Sequence, residues 1–218
     1  MAKKVAIILA GCGVFDGTEI YEATLVQLRL DEAGVEFQCM APNVDQMHVL
    51  NHMTGEEMQE TRNVLVEASR LCRGNIIDLA QANPSDYDAV IVPGGFGVAK
   101  NLSSFAVDGP GMSLNEDLVN FIQSINQQGK PVGLVCIAPA LAPKLFGEGV
   151  KCTLGSNDDD AAKAVVAMGG AHEQCAVDEI CIDEERNLVT TPAYMLAGRI
   201  SEASAGITKL VEALLART

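Results

Sequence analysis

The chain contains the stretch GLVCIAPA (residues 133–140), in which an apolar strand ends at Cys136 and is followed by residues that can begin a helix. This is the layout of a nucleophile elbow, a sharp turn that lifts a reactive side chain out of the end of a sheet. The residue two places after the cysteine is Ala138, where the commonest form of the elbow has glycine. The stretch is equally compatible with a buried thiol that only fills space, so both interpretations stand.

Apolar runs and helix-like stretches alternate on both sides of this motif. Strands are predicted at residues 5–10, 35–41, 88–92, 132–135, 180–183 and 188–191. Helices are predicted between them, the first opened by an Asp16–Glu19 capping box and another covering residues 61–72. Alternating strands and helices favour parallel pairing, so the sequence predicts an α/β fold, a three-layer α/β/α sandwich with a mostly parallel, flavodoxin-like sheet. We expect a single domain over residues 1–218, with an ordered insertion at about 43–74.

Composition excludes several classes of partner. The 218 residues include 29 acidic and 15 basic side chains, which gives a net charge of −14. Nucleic-acid backbones and anionic membrane surfaces both attract clustered basic residues, so neither is an expected partner. The first apolar run is far too short for a membrane span, and we expect a cytoplasmic protein. None of the 7 cysteines is part of a CxxC pair, which argues against a zinc ribbon and a disulfide framework. No metal site is expected.

Ligands of such folds bind at the carboxyl ends of the strands, where the loop after the first strand, the glycines after residue 92 and Cys136 should meet. Backbone N–H groups of Gly95 and Ile137 could then form an oxyanion hole. The positive end of the following helix should lower the pKa of the Cys136 thiol. Glu19 and Glu22 open the first helix. They are either only a complement to the helix dipole, or one of the two carboxylates is a proton acceptor beside the thiol.

Several phrases of the sequence together resemble a known family. They are GCGVFDGTEIYEA (11–23), NHMTGEEM (51–58), ETRNVLVEA (60–68), YDAVIVPGGFGVAKNL (87–102), CIAPA (136–140) and TTPAYMLA (190–197). They resemble the class I glutamine amidotransferase-like superfamily in its PfpI branch, and more closely the ElbB family. Members of that family are also called sigma cross-reacting proteins or isoprenoid biosynthesis proteins with an amidotransferase-like domain.

The resemblance implies a class I glutamine amidotransferase-like fold and a glyoxalase that needs no cofactor. Such an enzyme converts glyoxal to glycolate, and methylglyoxal to the corresponding 2-hydroxy acid, with a weak deglycase activity attributed to some relatives. By position, Cys136 is the nucleophile and Glu22 is the carboxylate beside it. Gly95 and Ile137 supply the oxyanion-hole amides, and Gly94 and Cys12 are assigned to substrate binding. The implied partners are a small dicarbonyl substrate and a second copy of the chain in a homodimer.

One departure from the superfamily pattern keeps other functions open. Many members carry a histidine directly after the nucleophile or about twenty residues beyond it, whereas this chain has Ile137 and then Gly155-Ser156 at those places. The missing histidine puts glutaminase or protease activity in doubt. A non-catalytic thiol sensor of oxidation is one alternative. The other is an amidotransferase-like module that serves a partner enzyme of isoprenoid metabolism.

Overall fold

A seven-stranded sheet forms the centre of the molecule in a computed structural model, which describes residues 3–218. Its strands run in the order β3-β2-β1-β4-β5-β9-β8, and every pair is parallel except β8 with β9. A second, parallel sheet contains β6 and β7. The strands are β1 (Lys4–Ile8), β2 (Glu36–Ala41), β3 (Ile76–Asp78), β4 (Ala89–Val92), β5 (Val132–Val135), β6 (Lys151–Gly155), β7 (Ala171–Gln174), β8 (Cys181–Asp183) and β9 (Leu188–Thr191).

Helices cover both faces of the central sheet. They are α1 (Ile20–Glu32), α2 (Val64–Ala68), α3 (Phe96–Lys100), α4 (Phe105–Asp108), α5 (Glu116–Gln127), α6 (Ala142–Phe146), α7 (Asp160–Ala167) and α8 (Ile200–Leu215). Along β1, Val5 and Ile7 face the layer that contains α1 and α8, while Ala6 and Ile8 face the layer that contains α5. A strand that is buried on both faces is typical of a parallel sheet, which confirms the predicted three-layer architecture. Within residues 3–218, no helix combines the length and apolarity needed to cross a bilayer.

Two predicted helix boundaries are wrong. Helix α1 is capped by Glu19, whose side chain accepts a hydrogen bond from the Glu22 N–H, and not by Asp16. Asp16 instead accepts from the Leu50 N–H at 2.7 Å, because the glycine-rich loop before α1 turns it towards the insertion. The helix expected over residues 61–72 is only α2, since the Asn63 side chain caps its first turn and a 3₁₀ helix follows at Ser69–Cys72.

Residues 43–74 contact the loop after β1. Two isolated bridges, Asp45 with Asn63 and Leu50 with Glu57, fold the segment back on itself. The His52 ring stacks on Phe15 with the ring centroids 4.9 Å apart, and its Nε2 atom accepts from the Phe15 N–H. The segment thereby supports the loop that leads into α1 and the candidate site.

Candidate active site

The candidate site lies at the carboxyl edge of the sheet, where β4, β5 and β9 end. Cys136 directly follows β5, and Gly94 and Gly95 follow β4. Glu22 reaches the same place from α1, and Tyr194 reaches it from the turn after β9. Since neighbouring parallel strands end together, chain segments far apart in sequence converge here.

Cys136 occupies a strained turn. Its φ angle is +63°, in the left-handed region that costs a non-glycine residue about 1 kcal/mol or more. The Cys136 N–H donates to the Thr191 carbonyl at 3.0 Å, which ties the turn to β9. A 3₁₀ helix, Ala138–Leu141, follows before α6. The cysteine is only 7% exposed.

The Glu22 carboxyl is fully buried and lies beside this sulfur, close enough to act on its pKa. Its Oε2 atom accepts from the Gly94 N–H at 2.8 Å, and its Oε1 atom accepts from the Tyr194 N–H at 3.1 Å. Burial raises the pKa of Glu22 to about 8, and the nearby charge of Glu19 acts in the same direction. Glu22 can therefore hold or release a proton near neutral pH, as a general acid–base group must.

The pKa of the Cys136 thiol is raised, and the expectation that a helix dipole would lower it is wrong. Burial is the main cause, and the charge of Glu22 and its hydrogen bond to the sulfur add to it. The N–H groups of Gly95 and Ile137 donate to the sulfur and act in the opposite direction. The short 3₁₀ helix after Cys136 does not outweigh burial, so thiol and carboxyl together retain a proton at neutral pH.

Gly94 and Gly95 provide the space that this arrangement requires. A Cβ atom on Gly94 would lie 2.4 Å from the Cys136 Cβ and 2.7 Å from Glu22 Oε2. The Gly94 N–H is bound to Glu22 and its carbonyl accepts from the Glu19 N–H, so neither group is free for a ligand. Gly95 has a φ of +98°, and this turn directs its N–H at the Cys136 sulfur.

The sequence did not reveal the contribution of the turn after β9. Ala193 is buried with a φ of +42°, and the next residue, Tyr194, gives its N–H to Glu22. Strained residues that are over-determined by their surroundings are concentrated at functional sites. Pro192, directly after the strand, was the only local sign of a turn here.

Cys136 opens into a cavity of about 580 Å³. Much of its lining is apolar and comes from Val14, Phe96, Phe105, Ile137 and Met195. The charged side chains that line it are all acidic, namely Glu19, Asp159 and Asp160. The cavity thus presents a buried thiol, donor N–H groups and a nearby carboxyl to a small, mainly apolar ligand.

Cys12 lies outside the lining of this cavity. Burial raises the pKa of its thiol, and its charged neighbours are Glu67 and Arg70 on the side of the insertion. The structure therefore does not bring it together with Cys136, Glu22, Gly95 and Ile137, although the sequence assigned it to substrate binding.

His172 and His52 are engaged elsewhere. His172 contacts Asn157 through Nδ1 and accepts from the Leu154 N–H through Nε2, and His52 packs on Phe15. Within residues 3–218, no histidine is hydrogen-bonded to Cys136. The described residues likewise contain no group of three or more His, Cys, Asp or Glu side chains placed to share a metal ion.

Comparisons with known proteins agree with this fold. The DJ-1/PfpI family matches residues 3–195. A human protein, "Glutamine amidotransferase-like class 1 domain-containing protein 3, mitochondrial", is 42% identical over 100% of this chain and 84% of its own length. The crystal structure of an isoprenoid biosynthesis protein with an amidotransferase-like domain from Ehrlichia chaffeensis superposes with a TM-score of 0.92 at 35% identity, covering 99% of both chains. Glyoxalase III from Candida albicans shares the fold, with a TM-score of 0.62 at 18% identity over 99% of this chain and 97% of its own. The chain belongs to the DJ-1/PfpI family, with its class I glutamine amidotransferase-like fold.

Proposed function

We propose that this protein is a cofactor-free glyoxalase of the ElbB branch, which converts glyoxal to glycolate and methylglyoxal to the corresponding 2-hydroxy acid. The observation that carries the proposal is the Glu22 carboxyl beside the Cys136 thiol, at the base of a mainly apolar cavity. A thiol nucleophile next to a carboxyl that titrates near neutral pH supplies both groups that the reaction needs. The similarity to the Ehrlichia chaffeensis protein supports the assignment to the ElbB branch.

The reaction begins with addition of the thiol to one aldehyde. The Cys136 sulfur forms a bond to the aldehyde carbon while the ionised Glu22 takes the thiol proton. Glu22 returns that proton to the new alkoxide, which gives a hemithioacetal and restores the carboxylate. The N–H groups of Gly95 and Ile137, which act on the sulfur, would stabilise negative oxygen as it forms.

Proton transfer then isomerises the bound two-carbon unit. Glu22 removes the C–H proton of the hemithioacetal carbon, and the electron pair moves towards the second carbonyl to give an enediolate. The proton of the neighbouring hydroxyl moves to the enediolate oxygen. The proton held by Glu22, or one exchanged from solvent, is then delivered to the adjacent carbon, which leaves a thioester of glycolate. Water hydrolyses the thioester, so glyoxal and one water yield glycolic acid and the free thiol without any oxidant or reductant.

The site supports an amidotransferase reaction less well. No histidine in the described part of the chain is hydrogen-bonded to the thiol. A redox sensor is also less well supported, because the raised pKa of Cys136 slows attack on peroxide. An amidotransferase-like module for a partner enzyme needs no chemistry and stays an alternative.

Several expectations from the sequence stay predictions. They are a single domain over residues 1–218 with its insertion at 43–74, a homodimer, and no nucleic-acid or membrane partner. Cytoplasmic location is also a prediction, and the human relative is named as mitochondrial. Deglycase activity is expected to be weak beside glyoxal turnover.

A substrate panel tests the proposal. Wild-type protein and Cys136→Ala are incubated in parallel with glyoxal, methylglyoxal and glutamine, and the products are followed by NMR. We expect wild-type protein to form glycolate and lactate and to leave glutamine intact, while the variant forms neither acid. Ammonia release from glutamine would favour the amidotransferase. Absence of all turnover, together with rapid formation of Cys136 sulfinate in dilute peroxide, would favour the sensor.

A further inference from the structure

The cavity above Cys136 is larger than glyoxal requires. Its volume of about 580 Å³ is within the range of about 300–1,000 Å³ that holds drug-sized ligands. Glyoxal has only two carbons and two oxygens. The space beyond the reacting carbons is bounded by the apolar side chains of Phe96, Phe105 and Met195. An alkyl group can displace water from these side chains without the loss of a hydrogen bond between water and protein.

The charge of the cavity has one sign. Glu19 is 8% exposed, and its Oε2 atom is held by the Glu22 N–H at 2.7 Å. Within residues 3–218, no lysine, arginine or histidine forms an ion pair with Glu19. On the opposite wall, Asp159 caps α7 by accepting from the Ala161 N–H at 2.8 Å. The Asp160 side chain points to solvent and pairs with Lys163, so it contributes less.

We propose that this cavity selects neutral 2-oxoaldehydes with an apolar chain of several carbons and rejects those that carry a carboxylate, and that Glu19 is the specificity-determining residue. The inference rests on the proposed glyoxalase function and names its substrate class. A carboxylate on the substrate would lie in a low-dielectric space beside a like charge that caps α1 and pairs with no basic side chain of residues 3–218. A buried like charge without a counter-ion discriminates by repulsion, which is a common way to exclude a competing ligand.

A matched substrate pair tests the selection. 2-Oxopentanal and 4,5-dioxopentanoate have the same five-carbon 2-oxoaldehyde skeleton and differ in a terminal methyl against a carboxylate. We expect kcat/KM for 2-oxopentanal to exceed that for glyoxal, and to exceed that for 4,5-dioxopentanoate by at least tenfold. Turnover of glyoxal without either preference would overturn the inference and leave the proposed function standing.

Substitution of Glu19 tests the residue assignment. Glu19→Gln keeps an oxygen that can cap α1 and removes the charge. We expect it to reduce, by at least threefold, the ratio of kcat/KM for 2-oxopentanal to kcat/KM for 4,5-dioxopentanoate. Removing the charge also changes the titration of Glu22, but this affects both substrates alike and cancels in the ratio. The control, Glu36→Gln, has the same charge change at the start of β2, at the opposite edge of the sheet, and should leave the ratio unchanged. An unchanged ratio in Glu19→Gln would refute the role of Glu19.

Alkylation of Cys136 provides a readout that needs no turnover. N-Phenyl iodoacetamide and 4-(iodoacetamido)benzoate differ by one carboxylate, and peptide mass spectrometry separates Cys136 from the other cysteines. Each rate of Cys136 alkylation is divided by the rate of the same reagent with glutathione. We expect the corrected rate of the neutral reagent to be at least tenfold higher than that of the anionic reagent. The ratio of the two corrected rates should be smaller in Glu19→Gln. If no aldehyde is consumed, the proposed function fails, and this ratio still decides whether the cavity excludes anions. Equal corrected rates in wild-type protein would overturn the inference.

Discussion

The Glu22 carboxyl and the Cys136 thiol lie side by side next to Gly94, and both are buried from bulk water. Each group is also held by backbone N–H donors, Glu22 by Gly94 and Tyr194, and Cys136 by Gly95 and Ile137. Burial raises the pKa of both groups, and the negative form of either one disfavours that of the other. The pair thus behaves as a unit that exchanges protons around neutral pH.

Replacing Glu22 by Gln should reduce kcat for glyoxal by about 10²–10⁴-fold, since the general base is lost while the thiol remains. The amide keeps one oxygen that can accept from Gly94 or Tyr194, so the protein should still fold. Steady-state kinetics by NMR, with circular dichroism to verify the fold, measure this. Glu36→Gln is the control for charge. An unchanged kcat would remove Glu22 from the role of base.

The rate should depend on pH through the Glu22 carboxyl. Its pKa is about 8, and the ionised form is the one that accepts the thiol proton. We therefore expect kcat/KM for glyoxal to rise between pH 6 and pH 9, with a midpoint near 8. Initial rates in constant-ionic-strength buffers give the profile. A rate that falls over this range would show that the protonated carboxyl is the active form.

Stability should change with pH in the opposite sense. The folded-state pKa of Glu22 is about 8, above the value of about 4.5 for an unperturbed carboxyl. Between these values the folded protein binds the proton and the unfolded chain does not. The stabilisation is fully present below about pH 4.5 and is lost as pH rises to 8, by at most about 1.4 kcal/mol per pH unit. Urea unfolding of wild-type protein and Glu22→Gln at several pH values isolates this contribution, and parallel pH profiles for the two proteins would contradict it.

The sequence predicted the architecture because aliphatic strands such as β1 and β5 carry an unambiguous signal. It did not reveal β3, which has only three half-buried residues, or β6 and β7, which form a separate two-stranded sheet. Helix caps were misassigned where several acceptors compete. Asn115 caps α5, and Glu19 takes the place expected for Asp16.

The candidate site was only partly predictable for a physical reason. The turn at Cys136 follows an apolar strand directly in the sequence, so the local sequence was sufficient to predict it. The Tyr194 N–H, in contrast, reaches Glu22 because Ala193 adopts a left-handed conformation that no local pattern demands. The raised pKa of Cys136 also depends on burial by segments distant in sequence. The spacing of residues along the sequence does not predict such contacts between distant segments.

Gly94→Ala should separate the pair and impair folding to a measurable extent. The added Cβ would lie 2.4 Å from the Cys136 Cβ and 2.9 Å from its sulfur, which forces one of them to move. We expect a loss of about 1–3 kcal/mol in unfolding free energy and at least a tenfold lower kcat. Gly111→Ala is the matched control, since a Cβ there meets no atom within 4 Å. Wild-type kinetics in Gly94→Ala would show that the close approach is not needed.

The most direct test of the account is NMR detection of glycolate from ¹³C-labelled glyoxal, with wild-type protein, Cys136→Ser and Cys175→Ser side by side. Cys175 is half-buried and does not line the cavity, so its variant controls for the loss of a thiol. We predict that wild-type protein and Cys175→Ser accumulate glycolate at similar rates and that Cys136→Ser accumulates none above the uncatalysed reaction. Glycolate formation that survives in Cys136→Ser, or its absence with wild-type protein, would contradict the account.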